Sequence, residues 1–498
     1  MTARASAAVG IWRNRQPRTR ADHAYVVYLL AMVALVLVAP VIRAIAVTAT
    51  NPLGIAVLTS PSAHGATMVA VAALWAGLLL LGRVRGPALR PPFLAHALAS
   101  SDISRAEGFR GPFLRASLVV MALVTAVAAA IGSSLVVAGQ ASPASAALFA
   151  FAGMCVGIVS AVAWLAGQAL PRTAAVLAPV LFAIAALTSQ VSALHPYIPW
   201  GWVGTAYPTA VPEIASLLLV VALTIAAIAA VPTLMNCLSY SGLVAQSSRW
   251  GAATSRVAGM ELADAVSVYG ATPRVGRRWR AIRPAARRAG IFLRRDAVGA
   301  ARTPVRLTIG VLAIIAAAAL VAISLTPGLP TGILGAAAGV ILFAALGPLS
   351  DGIRHAASVA ADLPLYGVTD GSLLAHHSLF PLVLTVTVLV AGSIIVALVI
   401  GNSVLAAGFA SLILGVMTLV SRVSGALKGP LPPALLAPIP TPLGDLGAAT
   451  RLAWALDGIL FTAVAGASVA LIPTSPLPLL VVGVVIGGLV VRRWHHRR

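Results

Sequence analysis

The residues able to do chemistry are few. Adjacent histidines stand at 376–377 and 495–496. Neighbouring side chains diverge on a helix, so each pair reads as solvated rather than as a metal site. Acidic residues within apolar stretches generally mark function. Here Glu213, Asp445 and Asp457 all fall near the ends of such stretches, which suits interfacial residues better than a proton relay. Asp457 lies in RLAWALDGILF, at helical spacing from Arg451. Asp351 and Arg354 share one helical face and are placed to pair, an exposed contact of little energetic value. Cys155 and Cys237 give neither a disulfide framework nor metal-ligand spacing. Lys428 is the only lysine, and its setting, ALKGP, lacks the glycine-rich loop and following Ser or Thr of a phosphate-binding P-loop. No His-Glu-x-x-His motif and no recognisable Ser, His and Asp arrangement is present. The expectation is a chain with no catalytic residues, no bound metal and no cofactor of its own.

The elements that carry these residues are apolar. Of 498 residues, 60% are hydrophobic and 9% charged, mean hydropathy is +0.99, and formal net charge is +22. A soluble domain of this size needs far more polar surface, so the fold class is an all-α polytopic membrane protein. With roughly 20 apolar residues needed to cross the hydrocarbon, spans fall at 24–48, 65–82, 114–139, 144–168, 173–190 and 213–235, then at 305–325, 331–350, 378–400, 402–421, 452–473 and 477–492. That makes about 12 transmembrane helices. The turns after 400 and 473 are tight enough for re-entrant pairs, which sets the range at 10–12. Arginine-rich stretches precede the first span, follow the second, eighth and tenth, fill 249–306, and end the chain as RRWHHRR. The intervening loops near 49–64, 140–143, 191–212, 326–330 and 474–476 carry no Lys or Arg. This asymmetry places both termini in the cytoplasm of a cell-membrane protein. The basic stretch VGRRWRAIRPAARRAG then holds topology and meets anionic lipid headgroups. No soluble domain is left to present its arginines to nucleic acid.

The basic middle divides the chain into a first six-helix half, 1–235, a cytoplasmic linker, 236–304, with an interfacial helix near 291–307, and a second six-helix half, 305–498. Six spans each give two six-helix parallel repeats. Gly86-Pro87 ends the second span and Gly347-Pro348 the eighth. Each is followed by a stretch able to form a short helix, 93–109 and 352–368, and then by a Phe and Pro pair introducing the next span. Two other segments look shaped: HPYIPWGWVGTAYP (195–208), with Trp200 and Trp202, and a proline-rich run (428–454) containing Asp445. Proline is expected to keep both out of regular helix. Either can cap a translocation path; an aromatic belt and a stiff connector are the plainer readings.

RGPFLRAS, the paired Gly-Pro and Phe-Pro steps, and KGPLPPALLAPIPTPLGDLGA resemble a family of actinobacterial integral membrane proteins similar to ABC-2 exporter permeases fused as two halves. The resemblance implies that short cytoplasmic helices after the second span of each half contact a separate ABC ATPase. Phe93, Leu98, Asp102, Leu363 and Tyr366 are the coupling residues it nominates. The two stretches differ in length and charge, which points to unequal docking. Substrate export driven by a partner ATPase is the resulting expectation, with alternating access between the halves. A secondary active transporter of two six-helix halves, or a non-catalytic membrane scaffold, stays open beside it.

Overall fold

A computed structural model of the chain describes residues 3–14, 49–209, 213–258, 287–359, 367–429, 431–435, 440–441 and 444–496, with scattered positions between them. Eleven described helices are long and apolar enough to cross a membrane. They coincide with eleven of the expected spans; the remaining one, 24–48, lies largely outside the described residues. The chain divides into two compact units, Met1–Ser255 and Arg256–Arg498. The segment expected to be a linker is thus shared between them.

Unit 1 opens with α1 (Ala3–Asn14) and a short α2 (Pro52–Leu58), then α3 (Ser62–Val84), α4 (Pro92–Ser100), α5 (Arg105–Val137), α6 (Pro143–Ala169) and α7 (Pro171–Thr188). A 3-10 turn at Ser192–Tyr197 leads into α8 (Pro199–Thr205), α9 (Ile214–Asn236) and α10 (Tyr240–Ala258). Sequence explains the starts. Ser104 caps α5 by accepting from the Glu107 amide at 3.3 Å, the Ser-x-x-Glu pattern of a capping box. Ser142 accepts from the Ser145 amide at 3.0 Å, with Pro143 in the first helical turn of α6.

The third span begins earlier than hydropathy indicates. α5 starts at Arg105 and runs 33 residues through Pro112. The expected short helix 93–109 is therefore two elements: α4, and the first turn of α5. Proline also fails to exclude helix from 195–208, because Pro199 occupies the first position of α8, where no amide is needed.

α3 packs against both α6 and α7, α5 and α6 form an antiparallel hairpin, and α9 lies on α6. The contacts are close because the facing residues are small. A Cβ on Gly82 would lie 2.2 Å from the Trp164 carbonyl oxygen, and one on Gly167 would lie 2.1 Å from that of Leu79. A Cβ on Gly157 would meet the Met121 Cα at 2.6 Å.

Unit 2 contains α11 (Arg288–Ala301), α12 (Pro304–Ser324), α13 (Thr331–Leu346), a 3-10 turn at Gly347–Leu349, α14 (Asp351–Val359), α15 (Asp370–Ile400) and α16 (Val404–Ala426). After a 3-10 turn at Pro433–Leu435, a minimal antiparallel hairpin pairs β1 (Pro440–Thr441) with β2 (Gly444–Asp445). α17 (Leu446–Ala470) and α18 (Leu477–His495) complete it. Helix thus resumes at Leu446, inside the run expected to be irregular. The interfacial helix expected near 291–307 is α11, ending at Ala301 before Pro304 starts the next span. The tight turn after α15 uses Gly401 at φ 76°, a left-handed residue closing the helix. The 23-residue α16 that follows is of crossing length. α15 itself runs through Pro381, so here too the Phe-Pro step lies within the third span.

α13 packs on α17 through glycine. A Cβ on Gly466 would lie 2.0 Å from the Gly335 carbonyl oxygen, and one on Gly339 would lie 2.0 Å from that of Thr462. Around this seam Ile314, Leu342, Leu346, Leu389 and Leu414 form a fully buried core. Replacing Gly466 with Leu must push the two backbones apart and should cost about 1–3 kcal/mol. A lowered unfolding midpoint in detergent is expected for Gly466→Leu, with no loss for Gly488→Ala, whose Cβ would meet nothing within 4 Å.

Candidate functional site

The residues to be positioned are those of the two short helices, α4 and α14. In unit 1 the chain leaves α3 through Gly86-Pro87, and the carbonyls at the end of α3 need donors. Two buried glutamines supply them. Gln246 of α10 donates to the Gly82 and Arg83 carbonyls at 3.2 and 3.3 Å and accepts from the Gly86 amide at 3.0 Å. Gln168 of α6 accepts from the Ala88 amide at 3.1 Å and donates to the Gln246 side-chain oxygen at 3.1 Å. Trp164 donates to the Arg85 carbonyl at 2.7 Å. A Cβ on Gly86 would fall 1.8 Å from Gln168 Cδ, so a larger residue there must displace that carboxamide from its bonds.

A second tie comes from Arg90. Pro112 has no amide, so the Gly108 carbonyl four residues earlier loses its helical donor. Buried Arg90 donates its Nε–H to that carbonyl at 2.7 Å. α4 is thereby held over α5, with Leu94, Ala95 and Leu98 packed among Phe109, Phe113, Leu238, Leu243 and Val9 of α1. Leu98 is 3% exposed and is spent on this packing, whereas Phe93 is 65% exposed and faces outward. Burial of Leu98 leaves it no surface to offer a partner, whereas Phe93 stays accessible. Asp102 forms an exposed ion pair with Arg4 at 3.2 Å, which contributes little. The Tyr240 hydroxyl and His96 Nδ1 are 2.7 Å apart.

In unit 2 a Gly-Pro turn, Gly347–Leu349, follows α13. Asp351, at the start of α14, accepts from Arg306 at 2.6 and 3.2 Å and from Arg354, so the expected Asp351–Arg354 pair is present. Ile353, Ala356 and Ala357 are buried beneath. The neighbouring polar group is His377 of α15, 1% exposed. Its burial corrects the expectation of a solvated pair: the long α15 carries it under α14, while His495 and His496 are exposed. His377 Nδ1 is 2.7 Å from Asp296 Oδ2, and Arg295 reaches Nε2 at 2.8 Å. Arginine can only donate, so Nε2 accepts and Nδ1 carries the proton given to Asp296. Gly352 sits directly against this group; a Cβ would lie 2.6 Å from Asp296 Oδ2 and 2.7 Å from His377 Nδ1. Phe292 packs on both His376 and His377, at 5.1 and 5.0 Å between ring centroids. Leu363 and Tyr366 lie outside the described residues.

Of the loop residues, Trp200 is buried against α3 and α9 and donates to Thr188 Oγ1 at 3.2 Å, and Trp202 donates to the Pro196 carbonyl at 2.7 Å. Tyr207 follows; its hydroxyl donates to the Leu58 carbonyl at 2.8 Å, and burial pushes its pKa up to about 12. The segment is a packed cap on unit 1. Asp445 pairs through its backbone with Pro440 in the β hairpin. Asp457 accepts from Lys428 at 2.9 Å and from Arg493. Lys428 also donates to the Trp454 carbonyl and stacks over that ring at 3.8 Å. Burial pulls the Lys428 ammonium below its ordinary range, with Asp457 opposing. Asp457 thus ties the middle of α17 to the chain just past α16 and to the last turns of α18. Among the described residues no three His, Cys, Asp or Glu side chains gather to hold a metal ion.

No family model, curated protein or solved structure matches this chain. The chain is a multi-pass, all-helical membrane protein. That statement rests on eleven helices of crossing length and hydropathy among the described residues.

Replacing Gln168 with Leu strands the Ala88 amide and part of Gln246 and should cost about 1–3 kcal/mol. Because the two glutamines bond each other, Gln168→Leu with Gln246→Leu should cost less than the sum of the singles by more than about 0.5 kcal/mol, read as unfolding midpoints in a double-mutant cycle.

His355 of α14 has its pKa lowered by burial, then by the Arg295 charge, with Asp296 opposing. The unfolded chain therefore takes this proton first, at about the ordinary value of 6.5. Stability contributed here falls as pH drops from 6.5 through the lower folded value, and the penalty is complete below it. His355→Gln should flatten that part of a stability-versus-pH curve.

Proposed function

We propose that the chain is the permease subunit of an ABC-2-like exporter, two six-helix halves on one polypeptide driven by a separate ATPase. The observation that carries this reading is the short helix beneath a Gly-Pro turn after the second span of each unit, pinned onto the third span. α4 rests on α5 and α14 on α15. The units share further neighbours. α3 packs on α6 and α7, as α13 packs on α16 and α17; α5 with α6 matches α15 with α16; α9 lies on α6 as α18 lies on α16. α1 touches α4, and Gly352 of α14 lies against Asp296 of α11, so each unit sets an additional helix before its first span beside its short one. These parallels support a duplication.

The chain's one lysine, outside any P-loop setting, agrees with an engine supplied in trans. Phe93 is the anchor expected to enter that partner, since a large exposed aromatic on a rigidly held helix suits a buried hot spot. The arginine-bearing span ends mark the cytoplasmic face on this reading.

Purification in mild detergent should recover a separate P-loop ATPase. Phe93→Asp should lower its recovery about tenfold or more while leaving the unfolding midpoint unchanged, because Phe93 is exposed. If no ATPase is recovered and transport follows a proton gradient, a secondary transporter replaces this reading.

A further inference from the structure

Three guanidinium groups converge at one end of unit 2, and one carboxylate answers them. Arg306, in the first turn of α12, forks onto Asp351 and also reaches the Gly347 carbonyl at 3.3 Å. Arg354 bonds the same carboxylate. Arg422, near the end of α16, lies over the Phe343 ring at 3.6 Å, donates to the Phe343 carbonyl, and comes within 3.4 Å of where a Gly347 Cβ would stand. Its Nε is buried with no hydrogen-bond partner among the described residues. Arg306, Arg354 and Arg422 against Asp351 leave two positive charges over.

Uncompensated cations near low-dielectric surroundings are costly and call for an anion. The planar guanidinium fork matches a phosphate group, which can accept from more than one arginine at once. The depth is also suitable, because Arg306 and Arg422 sit at the ends of two crossing helices, α12 and α16, with Arg354 on the short α14, at the level where lipid phosphates lie. We infer that Arg306, Arg354 and Arg422 form a binding site for a single phosphate group at this end of unit 2. The site is built from two span ends and the short α14, apart from the basic loops, and it stands whether or not an ATPase partner exists.

The test uses the full chain, purified and stripped of lipid. Phosphatidylglycerol in mixed micelles and inorganic phosphate are titrated separately, with the unfolding midpoint and native mass spectra as readouts. One saturable phosphate-bearing molecule should bind and raise the midpoint. Arg422→Gln and Arg354→Gln should each weaken binding at least tenfold, whereas Arg4→Gln, in the exposed pair of unit 1, should not. Arg354 is partly exposed, so its variant keeps the test valid if Arg422→Gln folds poorly. Binding of phosphatidylglycerol alone identifies a lipid headgroup; binding of both probes shows that free phosphate suffices. Binding of neither, or binding indifferent to both substitutions, overturns the site.

Discussion

Apolar helices in hydrocarbon gain nothing by leaving lipid for one another, so what joins them is fit. In this chain the fit is set where backbones approach with no side chain between. Gly335, Gly339 and Gly466 bring α13 onto α17, and Gly82 with Gly167 bring α3 onto α6. The large buried residues, such as Leu342 and Leu414 in unit 2, fill the space those contacts define. The same seams bring helix ends close, and so determine which carbonyls are covered and need partners.

The short helices inherit their positions from those ends. In unit 1 the tie runs to the backbone, with two carboxamides and the Arg90 guanidinium donating to carbonyls that the Gly-Pro turn and Pro112 leave open. In unit 2 it is ionic, with Asp351 shared by two arginines and His377 fixed between Asp296 and Arg295. The difference in charge between the two stretches is therefore a difference in anchoring. Neutral amides hold their geometry across pH, whereas on α14 burial holds the His355 pKa below its ordinary value.

Hydropathy located the spans well, since twenty apolar residues are a long signal that packing scarcely alters. The Asp351–Arg354 pair was equally legible, being a matter of helical spacing alone. The Asp296–His377 contact was not, because 81 residues separate the partners and nothing local distinguishes His377 from His376. Gln168 and Gln246 were missed for the same reason; each is one polar residue at a span end, ordinary until the other is opposite it. The early starts of α5 and α15 were hidden by proline, which reads as a boundary. Its cost was offset in α5 by a donor from another element, Arg90, that no window of sequence contains. Leu98 and Phe93 looked alike as apolar residues of one short helix, and only the position of α1 and α10 separates the buried one from the exposed one.

The two longest helices have a geometric consequence. At 33 and 31 residues, α5 and α15 measure roughly 50 and 46 Å, against a hydrocarbon layer of roughly 30 Å. Each overshoots by several turns, so bilayer thickness cannot determine how far it rises or sinks. That vertical setting falls to the groups gripping its first turns: Arg90 on the Gly108 carbonyl in one, Asp296 and Arg295 on the His377 imidazole in the other. Each works as a depth stop for a rod that the oil alone would let slide.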